Sequence, residues 1–202
     1  MKMLKTVCLI NAGTFAKSDI LKKLLKNIET SISKIEHPRG SGEFILHDQC
    51  GKKRGEGNGV KPIKLLCMKY LKELGWDLET RQKVSSENRP GPIDATYPVQ
   101  NKSFCFEWET GNISSSHRAL NKMALGILKG NLIGGVLVLP SRKMYHYLTD
   151  RVGNFQEIEP YLPLWKSLNV KEGYLAIIEI EHDGVSKKVK RIPKGTDGRA
   201  LN

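Results

Sequence analysis

The chain has 202 residues, enough for one domain with a substantial buried core. Its 33 Lys and Arg residues outnumber 21 Asp and Glu residues, a formal net charge of +12, while 39% of the residues are hydrophobic. This composition excludes a fully disordered chain, so the basic surplus lies on a folded surface. Such a surface attracts the phosphates of nucleic acids or of membrane head groups, or acidic partners, and charge alone does not choose among them.

No export or membrane segment is recognised in the sequence. The first apolar run ends at Asn11 and Gly13, well short of a signal peptide, and the apolar run at residues 132–139 is strand-length compared with the roughly 20 residues that span a bilayer. The four cysteines form no Cys-x-x-Cys pair, which is typical of reduced thiols. We therefore expect a soluble, cytoplasmic protein.

The first half of the chain alternates predicted strands and helices around a basic, glycine-rich loop at residues 38–59. This loop either contacts DNA or is merely solvated. Ser18 is the expected cap of the first helix, and Gly75 is expected to end the second. The predicted elements are strands at residues 6–10, 43–47 and 78–84 and helices at residues 18–32 and 62–74.

The second half begins with a predicted hairpin of strands 93–98 and 103–110. A helix at 114–128 follows, then a strand at 132–139 that is apolar enough to be buried on both faces. Further helices are predicted at 141–151 and 159–168, and a last strand at 174–180. This succession predicts a single layered α/β domain over residues 1–202.

Three acidic residues are expected to cluster on the hairpin. Glu107 and Glu109 are two apart in a strand, so they project to the same side. A two-residue turn at Gln100 and Asn101 places Asp94 opposite Glu107, with Cβ atoms about 5 Å apart. Carboxylates this close favour a shared Mg²⁺, which removes their repulsion. The alternative is that these acids are exposed on one solvent face of the hairpin.

A carboxylate-bound metal on a basic protein is the combination needed to hydrolyse a phosphodiester. Pro92-Ile93-Asp94 followed by Glu107-Trp108-Glu109 resembles the PD-(D/E)xK nuclease motif with glutamate in place of the final lysine. This variant resembles the BamHI-like type II restriction endonucleases. Five segments resemble that family in the same order, and they cover most of the chain from Asn58 onward, whereas the first fifty residues carry little resemblance. They are NGVKPIK, GPID, ETGNISSSHR, YLTDRVGNF and IPKGTDG.

The resemblance implies a restriction-endonuclease-like fold, with a central mixed β-sheet flanked by helices on both sides. It also implies an active site with two Mg²⁺ ions and no covalent intermediate. Glu109 would activate the attacking water, and Lys64 would lie beside the scissile phosphate. The implied metal ligands are Asp94, Glu107, Glu79, Glu109 and the main-chain carbonyl of Trp108.

The resemblance further implies which residues read DNA. Asn112, Ser114 and Arg118 surround the start of the long helix, a suitable element for the major groove. Asp150 and Arg151 resemble a second reading element. Two alternatives stay open: Ser114 as a helix cap, and Asp150 with Arg151 as an ordinary charged pair.

Two other features of the long helix have structural interpretations. For His117, packing or a subunit contact is favoured over an acid–base role. The apolar face of the helix is expected to combine core packing with a dimer contact. It consists of Leu120, Met123, Ala124 and Ile127.

The expected protein is a homodimer that cuts a palindrome. The reading segments suggest GGATCC, cut to leave four-base 5′ overhangs and 5′-phosphates. A cognate DNA methyltransferase, encoded nearby, would protect the host genome without forming a stable complex, and no membrane is involved. The alternatives are a structure-specific repair or junction-resolving nuclease, and a sequence-specific DNA-binding protein without activity.

Overall fold

A computed structural model describes residues 1–53, 55–81, 91–149 and 152–194. It contains a six-stranded sheet, a two-stranded sheet and six α-helices within this part of the chain. The strands are β1 (Lys2–Ala12), β2 (Ile45–His47), β3 (Asp77–Thr80), β4 (Ile93–Val99), β5 (Lys102–Trp108), β6 (Leu132–Pro140), β7 (Gly173–Glu181) and β8 (Gly184–Ser186). The helices are α1 (Asp19–Ser33), α2 (Val60–Glu73), α3 (Ile113–Leu128), α4 (Arg142–Tyr145), α5 (Phe155–Ile158) and α6 (Leu162–Lys166).

The main sheet is mixed, as expected. Its strand order is β1-β7-β6-β5-β4-β3, with parallel pairing from β7 to β5 and antiparallel pairing at both margins. Every residue of β6 is buried, because helices cover the sheet on both sides.

Two apolar clusters mark the two faces of the sheet. One joins α1 and α2 to side chains such as Phe104 and Phe106 of β5. The other joins α3, α5 and α6 to alternate residues such as Cys105 of β5 and Leu137 of β6. This alternation follows the two-residue period of a strand and confirms the flanked α/β architecture.

The helix boundaries follow from local sequence. Ser18 caps α1, where its hydroxyl accepts a hydrogen bond from the Leu21 N–H at 3.2 Å. Gly75 ends α2 with a φ of 86°, a left-handed conformation that glycine adopts without strain. Asn112 caps α3 by accepting from the Ser115 N–H at 3.3 Å. The interpretation of Ser114 as the cap is therefore wrong, because Ser114 already lies inside the helix.

The hairpin of β4 and β5 has the predicted register. Val99 pairs with Lys102 across a two-residue turn, in which Gln100 has a φ of 55°. Ala95 pairs with Phe106, so the next position toward the open end brings Asp94 beside Glu107. The turn thus sets the position of the acidic residues at the other end of the hairpin.

Two predicted helices differ in the structure. The helix expected at 141–151 is limited to α4, because the backbone carbonyls that would continue it accept hydrogen bonds from the basic loop instead. Tyr147 O accepts from the Asn58 N–H at 2.7 Å, and His146 O accepts from the Gly51 N–H at 3.0 Å. The helix expected at 159–168 begins earlier, at Phe155, and divides into α5, a 3₁₀ turn and α6. Pro160 and Pro163 lack an N–H and interrupt its hydrogen bonding.

The small sheet was only half predicted. The sequence predicts a strand at residues 43–47, where β2 is found at Ile45–His47, but it does not predict the parallel partner β8. Three residues per strand are too few for a hydrophobic period to be recognised. The segment after β8 returns to the start of α2, where Gly59 N–H donates to Ile192 O at 2.9 Å.

Candidate active site

A cavity of about 480 Å³ opens where β5 ends and α3 begins. The hairpin, the connection to α3, Lys64 of α2 and one face of α3 supply its walls. Its polar lining contains Lys64, Asp94, Glu107, Glu109, Thr110, Ser115, Arg118 and Lys122. Three predicted catalytic acids and the predicted lysine are thereby brought together.

Asp94 and Glu107 are in direct contact. The backbone N–H of Asp94 donates to Glu107 Oε2 at 3.4 Å, and Asp94 Oδ2 accepts from the Trp108 N–H at 2.8 Å. Glu107 is 8% exposed. The alternative of acids displayed on a solvent face of the hairpin is therefore wrong for this pair.

Each of these carboxylates is paired with a lysine. Lys64 of α2 forms an ion pair with Asp94 Oδ1, and Lys122 of α3 forms one with Glu107 Oε1. The two lysines approach from helices on opposite faces of the sheet. Two negative charges in a small volume are thus balanced by two ammonium groups, which limits the cost of burying them.

The environment raises the pKa of the carboxyl groups of Glu107 and Glu109. Burial and then the neighbouring Asp94 raise the pKa of Glu107, against the opposing effect of Lys122. Burial raises the pKa of Glu109, although the Gly111 N–H, which donates to Glu109 Oε1 at 2.6 Å, acts in the other direction. Shifted carboxyl groups that share one cavity are characteristic of functional sites.

Lys122 was missed from the sequence. It lies within the predicted helix, follows Arg118 by four residues and therefore shares its face of α3. Helical spacing from the proposed DNA-reading residue would have found it.

Glu79 lies outside the cavity lining. It belongs to β3, one strand away from β4, and its side chain is exposed. The flanking pairs Leu78 with Ala95 and Thr80 with Ile93 place its backbone next to that of Asp94. Its φ of 54° interrupts the regular alternation of side chains in β3.

The carboxylates do not converge as a ready-made metal cage. Within residues 1–53, 55–81, 91–149 and 152–194, no group of three or more His, Cys, Asp or Glu side chains is arranged to hold a metal ion. Glu109 is turned toward Gly111, and the lysines occupy oxygens of the other two carboxylates.

In the same part of the chain, no helix is long and apolar enough to cross a membrane.

The start of α3 displays the predicted DNA-reading residues. Asn112, Ser114 and Arg118 are all exposed beside the cavity, and Arg118 Nη2 donates to Ser115 Oγ at 3.2 Å. This arrangement presents amide, hydroxyl and guanidinium groups at one helix end.

Asp150 and Arg151, predicted as the second reading element, lie outside the described residues. The chain that follows them contacts the start of α3: Gly153 N–H donates to Gly111 O at 2.8 Å. A Cβ at Gly153 would lie 2.5 Å from Ser116 Oγ and 3.0 Å from Ile113 Cα, so a larger residue here would displace its neighbours.

His117 has the predicted packing contact. It meets the Tyr161 ring edge-on at 4.7 Å and the Trp165 ring at 5.7 Å between centroids.

The apolar face of α3 at Leu120, Met123, Ala124 and Ile127 is buried in the core of this chain, so its expected second role as a dimer contact is wrong.

Comparison with known proteins gives consistent matches. Residues 1–199 match the family "Restriction endonuclease BamHI". The type II restriction enzyme OkrAI of Oceanobacter kriegii is 50% identical over 201 residues, covering 100% of both chains. The type II restriction enzyme BamHI of Bacillus amyloliquefaciens is 34% identical over 191 residues, covering 91% of this chain and 85% of that one.

A solved structure supports the fold. The restriction endonuclease BglII, crystallised with a DNA 16-mer, superposes with a TM-score of 0.60 at 11% identity, covering 91% of this chain and 79% of that chain. The family match also corrects one expectation, because it includes the first fifty residues, in which few motifs had been recognised. The chain belongs to the BamHI family of type II restriction endonucleases.

Proposed function

We propose that this endonuclease is a Mg²⁺-dependent homodimer that hydrolyses double-stranded DNA at a palindromic site. The observation that carries the proposal is that Asp94 and Glu107 lie side by side, with Glu107 accepting from the Asp94 backbone N–H, in a cavity at the start of the helix that presents Asn112 and Arg118. The cavity places hydrolytic groups next to groups suited to reading bases.

The donor chemistry fits Mg²⁺. Asp94 and Glu107 provide hard oxygen ligands, and the ammonium groups on them indicate a position where positive charge is favourable. The Trp108 carbonyl and Glu109 are the next proposed ligands, and Glu79 would have to turn inward from β3. Two Mg²⁺ ions in this site would polarise the phosphate and stabilise the attacking and leaving oxygens.

The protein groups have distinct proposed roles in hydrolysis. Glu109 orients a water molecule and accepts its proton, which the raised pKa of its buried carboxyl group favours. Lys64 neutralises the scissile phosphate. The water oxygen forms a bond to phosphorus as the bond to the 3′ oxygen breaks, and the departing 3′ oxygen takes a proton from solvent water, which leaves a 5′-phosphate and a 3′-hydroxyl.

Recognition is assigned to two elements. Asn112, Ser114 and Arg118 enter the major groove, where asparagine suits adenine and arginine suits guanine. Asp150 and Arg151 form the second element, in which the acid accepts from cytosine. The proposed site is GGATCC, cut to leave four-base 5′ overhangs.

A second copy of the chain would present the same elements to the other half-site. Exposed apolar side chains on α3 and around α6 support this pairing, because such surfaces on neighbouring helices favour association. They are Leu125, Leu128, Tyr161 and Leu164. The enzyme would act in the cytoplasm, alongside a methyltransferase that protects host DNA.

A plasmid digest tests the proposal. Purified protein with Mg²⁺ should give discrete fragments whose sequenced ends define GGATCC and 5′ overhangs of four bases. Omission of Mg²⁺ should prevent cutting, and Asp94→Asn protein should serve as the inactive control.

The alternatives give different digest patterns. Nicked supercoiled plasmid without fixed fragments would indicate a structure-specific nuclease. Specific binding without Mg²⁺-dependent products would indicate a regulator. Fixed fragment ends at another sequence would reject GGATCC as the recognition site but would still support a site-specific endonuclease.

A further inference from the structure

Lys122 lines the cavity but has no role in the mechanism above. Ser115, Arg118, Ala119 and Lys122 all line the cavity from α3, as expected for positions three and four apart on one helix face. The ammonium of Lys122 forms its ion pair with Glu107 while the two side chains are only 13% and 11% exposed. The helix that carries the proposed DNA-reading residues is therefore joined directly to a proposed metal ligand.

The position of Lys122 has an electrostatic cause. Glu107 lies against Asp94, so its charge is destabilised both by burial and by a like charge. Lys64 already pairs with Asp94, which leaves Lys122 as the ammonium in contact with Glu107. A buried carboxylate without such a partner would be costly.

The same contact opposes cation binding. Lys122 occupies Glu107 Oε1, one of the two oxygens that this carboxylate offers to a metal. An ammonium and a divalent cation on one carboxylate repel each other strongly in a partly buried site. The cation must therefore displace the Lys122 ammonium from Glu107 Oε1 to bind that oxygen.

We propose that Lys122 is an internal competitor of the divalent cation, holding Glu107 in the metal-free protein and lowering the metal affinity of the site. This inference rests on the proposed metal-dependent function and adds a positioning residue to it. Loss of the Lys122 charge should increase metal affinity, whereas a purely structural lysine would leave it unchanged or weaken it.

Titration of the full chain with Mn²⁺, followed by electron paramagnetic resonance without DNA, measures this affinity. Lys122→Met should bind Mn²⁺ at least about tenfold more tightly than the unaltered protein, because the competing charge is gone. Lys122→Arg, which keeps the charge, should remain within about twofold of it. Lys129→Met, an equal loss of charge at an exposed position near the end of α3, should also remain within about twofold.

The possible outcomes separate the two proposals. Lys122→Met with unchanged or weaker Mn²⁺ binding, beside an unaltered protein that binds Mn²⁺, would overturn the role of Lys122 alone. Absence of Mn²⁺ binding in every variant would overturn this inference, whereas the plasmid digest with and without Mg²⁺ decides the metal-dependent function. If circular dichroism finds Lys122→Met unfolded, Lys122→Gln decides by the same criterion, since it keeps a hydrogen-bond donor without charge.

Discussion

The hairpin of β4 and β5 has a cavity at each end, and the two cavities differ in how they treat charge. The proposed active-site cavity holds the neighbouring residues Asp94 and Glu107, and burial raises the pKa of Glu107 there. The cavity at the turn, of about 360 Å³, holds Glu172, whose pKa is lowered by a hydrogen bond from the Phe15 N–H. Thr14 Oγ1 also donates to Glu172, at 3.3 Å.

Glu172 and Glu107 therefore occupy opposite kinds of environment for a carboxylate. Glu172 is stabilised in its charged form by fixed backbone and hydroxyl donors. Glu107 is destabilised in its charged form by burial and by Asp94, and its counterion is the ammonium of Lys122. Both cavities are large enough for a small ligand, so volume alone does not identify the functional site. The unfavourable environment of the Glu107 carboxylate is what supports the proposal that its cavity is the active site.

The largest expected effect is on cleavage. Glu109→Ala should reduce the cutting rate by about 10²- to 10⁴-fold, because the proposed proton acceptor is lost. Specific DNA binding should persist, since Glu109 is not among the proposed base contacts. Single-turnover cleavage and a gel-shift titration measure the two properties.

Glu172→Ala in the turn cavity is the matched control and should cut at the unaltered rate. Normal cleavage by Glu109→Ala would contradict the proposed role of Glu109. An equal loss in both variants would remove the functional distinction between the cavities.

A smaller effect is expected on recognition. Arg118→Ala should weaken binding to the cognate site by about 1–3 kcal/mol relative to random DNA, because a guanidinium contact to a base edge is lost. Competition binding without Mg²⁺ measures this difference.

Lys102→Ala, which removes a positive charge beside the turn cavity, is the control and should leave the preference for the cognate site unchanged. If Arg118→Ala weakened cognate and random binding equally, Arg118 would be a phosphate contact instead of a base contact.

The smallest effect concerns stability. Glu172→Gln should lower the free energy of unfolding by less than about 1 kcal/mol, since Glu172 is largely solvated and its contacts are screened. Because folding lowers the pKa of Glu172, its charged form contributes above the ordinary value of 4.5, and this contribution is lost as the pH falls through the folded pKa.

Urea unfolding at several pH values tests this assignment. The difference between the unaltered protein and Glu172→Gln should therefore shrink as the pH falls from 7 toward 3. A difference that grew on acidification would show that Glu172 is not stabilised in its charged form.

Much of the fold was predictable because its signals are local. The cap at Ser18 and the turn at Gln100 each act over a few residues, and each was found as predicted. The register of one hairpin was enough to place Asp94 beside Glu107.

The remainder depends on distant contacts. The early end of α4 results from hydrogen bonds to Gly51 and Asn58, almost a hundred residues earlier in the chain. The pairing of Lys122 with Glu107 requires knowing how α3 packs on the sheet. The orientation of Glu109 toward Gly111 could not be read from its spacing to Glu107, because β5 ends between them.

The two-residue turn at Gln100 and Asn101 has a consequence for engineering. Both residues are exposed, and an exposed loop tip is ordinarily where extra residues are tolerated. Here a single inserted residue that re-paired the strands would reverse the side on which one strand presents its alternate residues. Asp94 would then face away from Glu107. Affinity tags and peptide insertions belong elsewhere, because this turn sets the strand register that holds Asp94 beside Glu107 at the other end of the hairpin.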